Sequence, residues 1–183
     1  MCYNRNSLIA ALEAGAKPSY FFFWGHKPDP EGEITKSCLS QFWMVDFTVD
    51  GITYKSAEHW MMAGKARVFG DDEMLQKIIA SQTPLEAKKL GRAVRNFDPE
   101  IWNAHRIDMV VAGNQHKFSQ NPDLREFLLS TKGQVLVEAS PRDRIWGIGM
   151  GAKNENAENP SKWRGQNLLG FALMKVRDGF QNG

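Results

Sequence analysis

The chain has 183 residues, enough for one compact domain with a sizeable core and too few for two comfortable ones. Hydrophobic residues make up 42% and charged residues 24%, which excludes wholesale disorder, and a net charge of +2 excludes a global basic field for non-specific nucleic-acid binding while leaving a local basic groove open. Cys2 and Cys38 cannot build a disulfide framework or a four-cysteine metal site, no apolar run spans a bilayer, and the N-terminus lacks a signal-peptide pattern, so the expectation is a soluble intracellular protein, cytoplasmic with a nuclear location left open.

Residues 4–15 carry a short apolar stripe of Leu8, Ile9, Ala11 and Leu12 and end at Gly15, as a packing helix would. We take 1–19 as an N-terminal packing segment and 20–180 as the main domain. The aromatic run 20–24 suits a buried strand, broken by the Gly25-to-Pro30 stretch and followed by a polar loop to Ser37. Ser40-Gln41-Phe42-Trp43 leads into Val45 to Val49, then Asp50-Gly51, then Ile52 to Tyr54, which reads as a hairpin because Asp-Gly tolerates the positive φ of a tight turn. The hairpin feeds a helix capped by Ser56 and running to about Phe69. Asp71, Thr83-Pro84 and Asp98-Pro99 start three more helices, the last continuing to about Phe118 with Trp102, His105, Met109, Ala112 and His116 as its seam. A short helix opens at Asn121-Pro122-Asp123, a strand covers 134–139, and a long polar loop reaches Trp163-Arg164, a length that is often functional. A last helix covers 167–177. Helices alternating irregularly with a few short strands give a mostly helical α+β single domain.

The organising stretch is the Ser56 helix. Glu58 falls in its first turn, and Lys65 returns to nearly the same angle seven residues later, alongside Met61, Met62 and Phe69. The two charges lie about 10 Å apart along the axis, too far to pair with each other. Either Glu58 answers the helix dipole and Lys65 is solvated, or both face a cleft. Position 59, where a capping box would place Glu or Gln, is His59. His105 and His116 are three turns apart and cannot share an ion, so no metal is expected. The Gly147-x-Gly149-x-Gly151 run matches neither the Rossmann nor the P-loop spacing, and it reads equally as a tight turn or as backbone N–H groups holding a phosphate or ribose. Of the six tryptophans, core filling accounts for at least half, and Trp102 and Trp146 are the candidates to stack on a flat heterocycle.

Taken in order, Ser40-Gln41-Phe42, the Asp50-Gly51 hairpin, Ser56-Ala57-Glu58-His59, Lys65, Gly91-Arg92, Trp102, Lys117-Phe118, Leu136-Val137-Glu138, Asp143-x-x-Trp146-Gly147-x-Gly149 and Asn167-x-x-Gly170-x-x-Leu173-Met174-x-x-Arg177 resemble the NADAR, or YbiA-like, family over nearly the whole chain from Phe21 onward. Gln41 stands where bacterial relatives often carry Asn, and the insert between Gly151 and Gln166 is longer than in compact members. The resemblance implies a NADAR/YbiA-like catalytic domain with N-glycosidase activity on a ribosyl bond to a nitrogen heterocycle and with no cofactor. Some members resemble hydrolases of phosphorylated ribosylaminopyrimidines, the early intermediates of riboflavin synthesis. Others are similar to hydrolases that take ADP-ribose off guanine in nucleic acid. The expected partner is therefore ADP-ribosylated nucleic acid or a small ribosyl-base molecule, with a non-catalytic ADP-ribose-binding module as the competing class. The implied catalytic set is Glu58, Lys65, Trp102 and Asp143, and the implied binding set is Ser40, Arg92, Trp146, Gly147, Gly149 and Asn167. The long loop around Trp163-Arg164 inclines the reading toward a bulky ADP-ribosyl-guanine target.

Overall fold

The computed structural model describes residues 3–181. Cys2 lies outside them. Chain order among the described residues is α1 (Arg5–Glu13), β1 (Ser19–Phe23), β2 (Met44–Val49), β3 (Ile52–Ser56), α2 (Ala57–Val68), α3 (Asp72–Ala80), α4 (Pro84–Arg92), α5 (Pro99–Gln120), α6 (Pro122–Ser130), β4 (Gln134–Glu138) and α7 (Leu168–Gln181). The α+β assignment holds.

Capping chemistry sets most boundaries. Asn4 and Ser7 form a reciprocal cap on α1, and the side chains of Asp71, Thr83 and Asp98 accept from first-turn N–H groups of α3, α4 and α5. Asp50 and Gly51 adopt φ of 49° and 77°, the left-handed pair that a two-residue hairpin turn needs, and they join β2 to β3 in antiparallel register. Asn121 differs from the other caps. Its amide donates instead to Asp46 O at 3.2 Å and Lys117 O at 2.8 Å, which ties the end of α5 to β2.

The strands form two separate pairs, β2 with β3 and a parallel pair of β1 with β4, in which Ser19 faces Gln134 and Phe23 faces Glu138. Parallel pairing demands a crossover, and here the crossover carries everything from β2 to α6. The core is built around α2, which packs on α3, α4 and α5 and has both flanks buried. Close approach depends on small residues: a Cβ on Gly64 would lie 2.3 Å from Met109 Sδ, and one on Gly91 would lie 2.1 Å from Met62 Sδ. α1 joins the same core through Leu8, while Arg5 donates to Pro160 O at 2.8 Å.

Several expectations need correction. The aromatic strand ends at Phe23, and Trp24 is 59% exposed. On α5 the expected seam is displaced: His105 is exposed and the other four seam residues are half-buried, whereas Val110, Gly113, Asn114 and Lys117 form the buried line. Apolar periodicity misses that line because two of its members are polar, Lys117 with its ammonium satisfied and Asn114 with its amide nitrogen bonded and its oxygen unpartnered among the described residues. Lys117 Nζ donates to Cys38 O at 2.6 Å and Ser40 O at 2.9 Å, and Asn114 Nδ2 donates to Gln41 Oε1 at 2.7 Å. The last helix starts one residue later and runs further than expected, with Asn167 at φ 56° just ahead of it. In the loop before it Trp163 is folded inward, 3% exposed with its Nε1 donating to Ala157 O at 2.7 Å, so that indole offers no face to a target, while Arg164 beside it is exposed. No helix among the described residues is long and apolar enough to cross a membrane.

Candidate active site

The site begins at the start of α2. Ser56 Oγ accepts from His59 N at 3.3 Å and lies 2.7 Å from His59 Nδ1, while His59 Nε2 lies 3.3 Å from Ser81 O. A neutral imidazole donating Nε2–H to that carbonyl leaves Nδ1 to accept the serine proton, and burial, the largest cause, lowers the His59 pKa in keeping with this. His59 thus braces the cap with its side chain where a capping box would use a carboxylate. Glu58, between them, has its N–H held by Gln41 O at 3.0 Å and its side chain turned into a cavity of about 290 Å³.

That cavity brings together seven of the ten site residues read from the sequence: Glu58, Lys65, Trp102 and Asp143 of the catalytic set, and Ser40, Arg92 and Trp146 of the binding set. Gly147, Gly149 and Asn167 are not on its wall. A Cβ on Gly147 would meet Glu138 O at 2.8 Å, and Gly149 sits at φ 69° against Arg164, so the glycine run serves close backbone packing and a turn in this fold. Asn167 Oδ1 accepts from Glu138 N at 2.9 Å and its Nδ2 donates to Leu136 O at 2.9 Å, so its amide acts as a short substitute strand along the free edge of β4. The structure adds wall residues the sequence reading left without a role, above all Glu138 and Lys88, with Gln41, Phe42 and Met62. Glu138 carried a signal, a carboxyl closing the apolar run Leu136-Val137. Lys88 carried none, being one of several charges on an amphipathic helix.

Two opposing effects act on Glu58. A helix N-terminus favours a carboxylate by about 0.3–1 kcal/mol, up to about 2 when partly buried. Burial opposes this and wins: Glu58 is 3% exposed and its pKa is pushed up to about 7, with Lys88 pulling it back, Asp143 pushing it further and Arg92 pulling back again. The reading of Glu58 as a residue answering the dipole therefore fails on magnitude. Glu138 is pushed up to about 8, by burial first, then by Asp143, with Lys88 opposing and Glu58 adding. Glu58 Oε1 and Glu138 Oε2 are both buried with no hydrogen-bond partner among the described residues. Asp143 is engaged differently: its Oδ1 accepts from Ile145 N and Trp146 N, both at 2.8 Å, which fixes the loop that carries Trp146.

Lys65 is half-buried, its Nζ donating to Gly91 O at 2.8 Å and lying 4.0 Å from the Phe97 ring centroid, and burial lowers its pKa. The half-buried indoles of Trp102 and Trp146 line the same cavity, and the Arg106 guanidinium lies 6.0 Å from the Trp146 ring. Beyond them, a second hollow of about 600 Å³ shares Lys88, Arg92, Glu138 and Asp143 with the first and adds Arg142 and Arg144. Cys38 takes no part: it is a buried free thiol whose pKa burial pushes up to about 11. Among the described residues no group of three or more His, Cys, Asp or Glu is placed to hold a metal ion.

A NADAR domain profile matches residues 22–181 of the chain. The chain is 45% identical over 164 residues to N-glycosidase R617 of Acanthamoeba polyphaga mimivirus, covering 87% of this chain and 95% of that one. It is 35% identical over 143 residues to the Riboflavin biosynthesis protein PYRR, chloroplastic, of Zea mays, covering 73% of this chain and 21% of that one. In three dimensions it is similar to the NMR structure of the E. coli protein YbiA, with a TM-score of 0.69 at 24% identity over 91% of this chain and 88% of that one.

Proposed function

The chain belongs to the NADAR domain family and is an N-glycosidase, and we propose that the bond it hydrolyses joins C1′ of ADP-ribose to a guanine nitrogen in nucleic acid. One observation carries the choice of substrate. The inner cavity, at about 290 Å³, has room for a sugar and part of a base, and it opens onto a larger hollow bearing Lys88, Arg92, Arg142 and Arg144. Clustered cations at the mouth suit a pyrophosphate and a nucleic-acid backbone. A ribosyl monophosphate needs less of that charge.

Cleavage of a C1′–N bond builds positive charge on the sugar and negative charge on the departing base. Glu58 faces the sugar-sized space as a carboxyl that can stabilise the oxocarbenium-like state and take a proton from water. Asp143, holding the loop with one oxygen, presents the other to ribose hydroxyls. Trp102 and Trp146 bracket the flat ring, and Arg92 meets the phosphates. Lys65 is the nucleophile for C1′ after ring opening, a role that the downward direction of its pKa favours over that of an anion receptor.

The test is direct. The protein is incubated with a guanine-ADP-ribosylated oligonucleotide and, in parallel, with phosphorylated ribosylaminopyrimidines, and released ADP-ribose or ribose phosphate is followed by mass spectrometry. Turnover of the oligonucleotide with little of the pyrimidine supports the reading. The reverse pattern selects the second one, hydrolysis of riboflavin-pathway intermediates, which the similarity to the Zea mays riboflavin biosynthesis protein favours. A protein that binds ADP-ribose and cleaves neither is the non-catalytic module. Recognition alone gives no reason to gather three carboxyls on one wall.

A further inference from the structure

Building on the N-glycosidase reading, we propose that Glu138 is the general acid of the reaction, handing its carboxyl proton to the base nitrogen as the C1′–N bond breaks. Its position is fixed from both sides: its N–H is held by Asn167 Oδ1 at 2.9 Å, and its carbonyl accepts from Ile148 N at 2.9 Å. So anchored at the end of β4, the side chain lies on the wall shared by the inner cavity and the outer hollow. A base that leaves toward the outer hollow passes that junction. Glu138 Oε2 is buried without a partner among the described residues, so no structural bond competes for it.

The surrounding charges act on both glutamates. Glu58 faces Glu138 from α2, Lys88 and Arg92 from α4, and Asp143 from the following loop, while β1 and α7 bring the apolar Phe23 and Leu169 nearby. In that setting burial raises both carboxyls toward neutrality and the charge of one disfavours ionisation of the other, so a single proton on the pair leaves a carboxylate and a carboxylic acid on one wall. Position assigns the roles: Glu138 stands where the inner cavity meets the outer hollow and takes the acid's part, while Glu58 lines the inner cavity alone and takes the base's. Asp143, with one oxygen bound to two N–H groups, is the sugar-holding member and not the acid.

The step balances. The electron pair of the C1′–N bond leaves with the nitrogen, which takes the Glu138 proton. Lys65 Nζ, added to C1′ of the opened sugar, holds it as an imine, and the water that hydrolyses the imine gives its proton to Glu58 and returns the lysine amine. One water is consumed, a sugar hydroxyl and a base N–H form, and the proton on Glu58 returns to Glu138 to restore the starting state.

The experiment compares the full chain with Glu138→Gln, measuring kcat/KM from about pH 5.5 to 9.5 on the two substrates above. Wild type is expected to rise through about pH 7 and fall above about pH 8. Glu138→Gln is expected to lose about 10²–10⁴-fold in rate and to lose the falling limb, with its Tm at pH 8 no lower than wild type. If the glutamine variant does not fold, Glu138→Asp replaces it. That acid, withdrawn by one methylene, should keep the falling limb and lose kcat. Near wild-type turnover in Glu138→Gln, or a falling limb that persists in it, overturns the proposal and leaves the N-glycosidase reading intact. Wild type inactive on both substrates overturns that reading and, with it, this one.

Discussion

Replacing Glu58 with Gln should abolish turnover and at the same time stabilise the fold, and the structure gives the size of the second effect. The carboxyl ionises at 4.5 in an ordinary setting and at about 7 here, because burial disfavours its charge. The folded state therefore binds more protons than the unfolded one between those values. Stability falls as pH rises through that window and levels off above it. At about 1.4 kcal/mol per pKa unit the loss is about 3 kcal/mol at pH 8. Glutamine matches the shape and carries no charge, so it escapes that loss. For a chain of this size each kcal/mol moves Tm by about 2–4 °C, which puts Glu58→Gln about 6–12 °C above wild type at pH 8 and close to it at pH 4.5. Thermal melts across pH, read beside release of the free base, provide the check. A variant that melts at or below wild type at pH 8, or one that still turns over, refutes the argument that an unpaired buried carboxyl does the chemistry.

Lys65 should be trapped: borohydride added during turnover is expected to fix a sugar-containing adduct on it, and turnover without an adduct returns it to an electrostatic role. Asn167→Gly keeps the left-handed backbone but loses the bonds to Glu138 N and Leu136 O, so it should cost about 2 kcal/mol in denaturant melts and lower kcat more than it raises KM. Gly170→Ala would bring a Cβ within 2.1 Å of Leu136 O, and a loss of about 3 kcal/mol, the upper end of the usual overpacking cost because the obstructing atom is backbone, is expected by the same melts. Trp102→Ala should raise KM by about 10-fold or more if its indole stacks on the base, and an unchanged KM would remove it from the binding wall.

What the sequence disclosed depended on whether a residue's role is local. Helix starts at Ser56, Asp71, Thr83 and Asp98, and the turn at Asp50-Gly51, were legible because a cap or turn is decided within a few residues. Glu58 and Lys65 on one face followed from helical geometry alone. The parallel pairing of β1 with β4 was not legible, since nothing near Phe23 specifies a partner as distant as Glu138. The burial of Lys117 on α5 was not legible for a related reason. Lysine is almost never fully buried without partners, and only the carbonyls of Cys38 and Ser40, folded over it from elsewhere, make its burial tolerable. Asn167 was assigned to substrate because of its family position, whereas its amide is taken up by the edge of β4.

The distribution of unmet polar atoms shows where the fold accepts an electrostatic cost. Away from the cavity, buried charges are compensated: Asp71 by Arg95, Arg177 by Asp178 and two backbone carbonyls, and Lys117 by two more. Around it they are not. Glu58 Oε1, Glu138 Oε2 and Gln41 Nε2 are buried, unpartnered among the described residues, and belong to residues on the cavity wall. Two more such atoms adjoin it, Asn114 Oδ1 on the side chain bonded to Gln41 and Arg106 Nε on the side chain beside Trp146. Packing error would scatter these atoms through the core, as the Tyr20 hydroxyl alone is scattered. Their gathering around one sugar-sized hollow is what a site should look like when its hydrogen-bond partners are supplied by the substrate. A ligand that enters there should therefore raise Tm by meeting donors and acceptors that no protein group among the described residues meets.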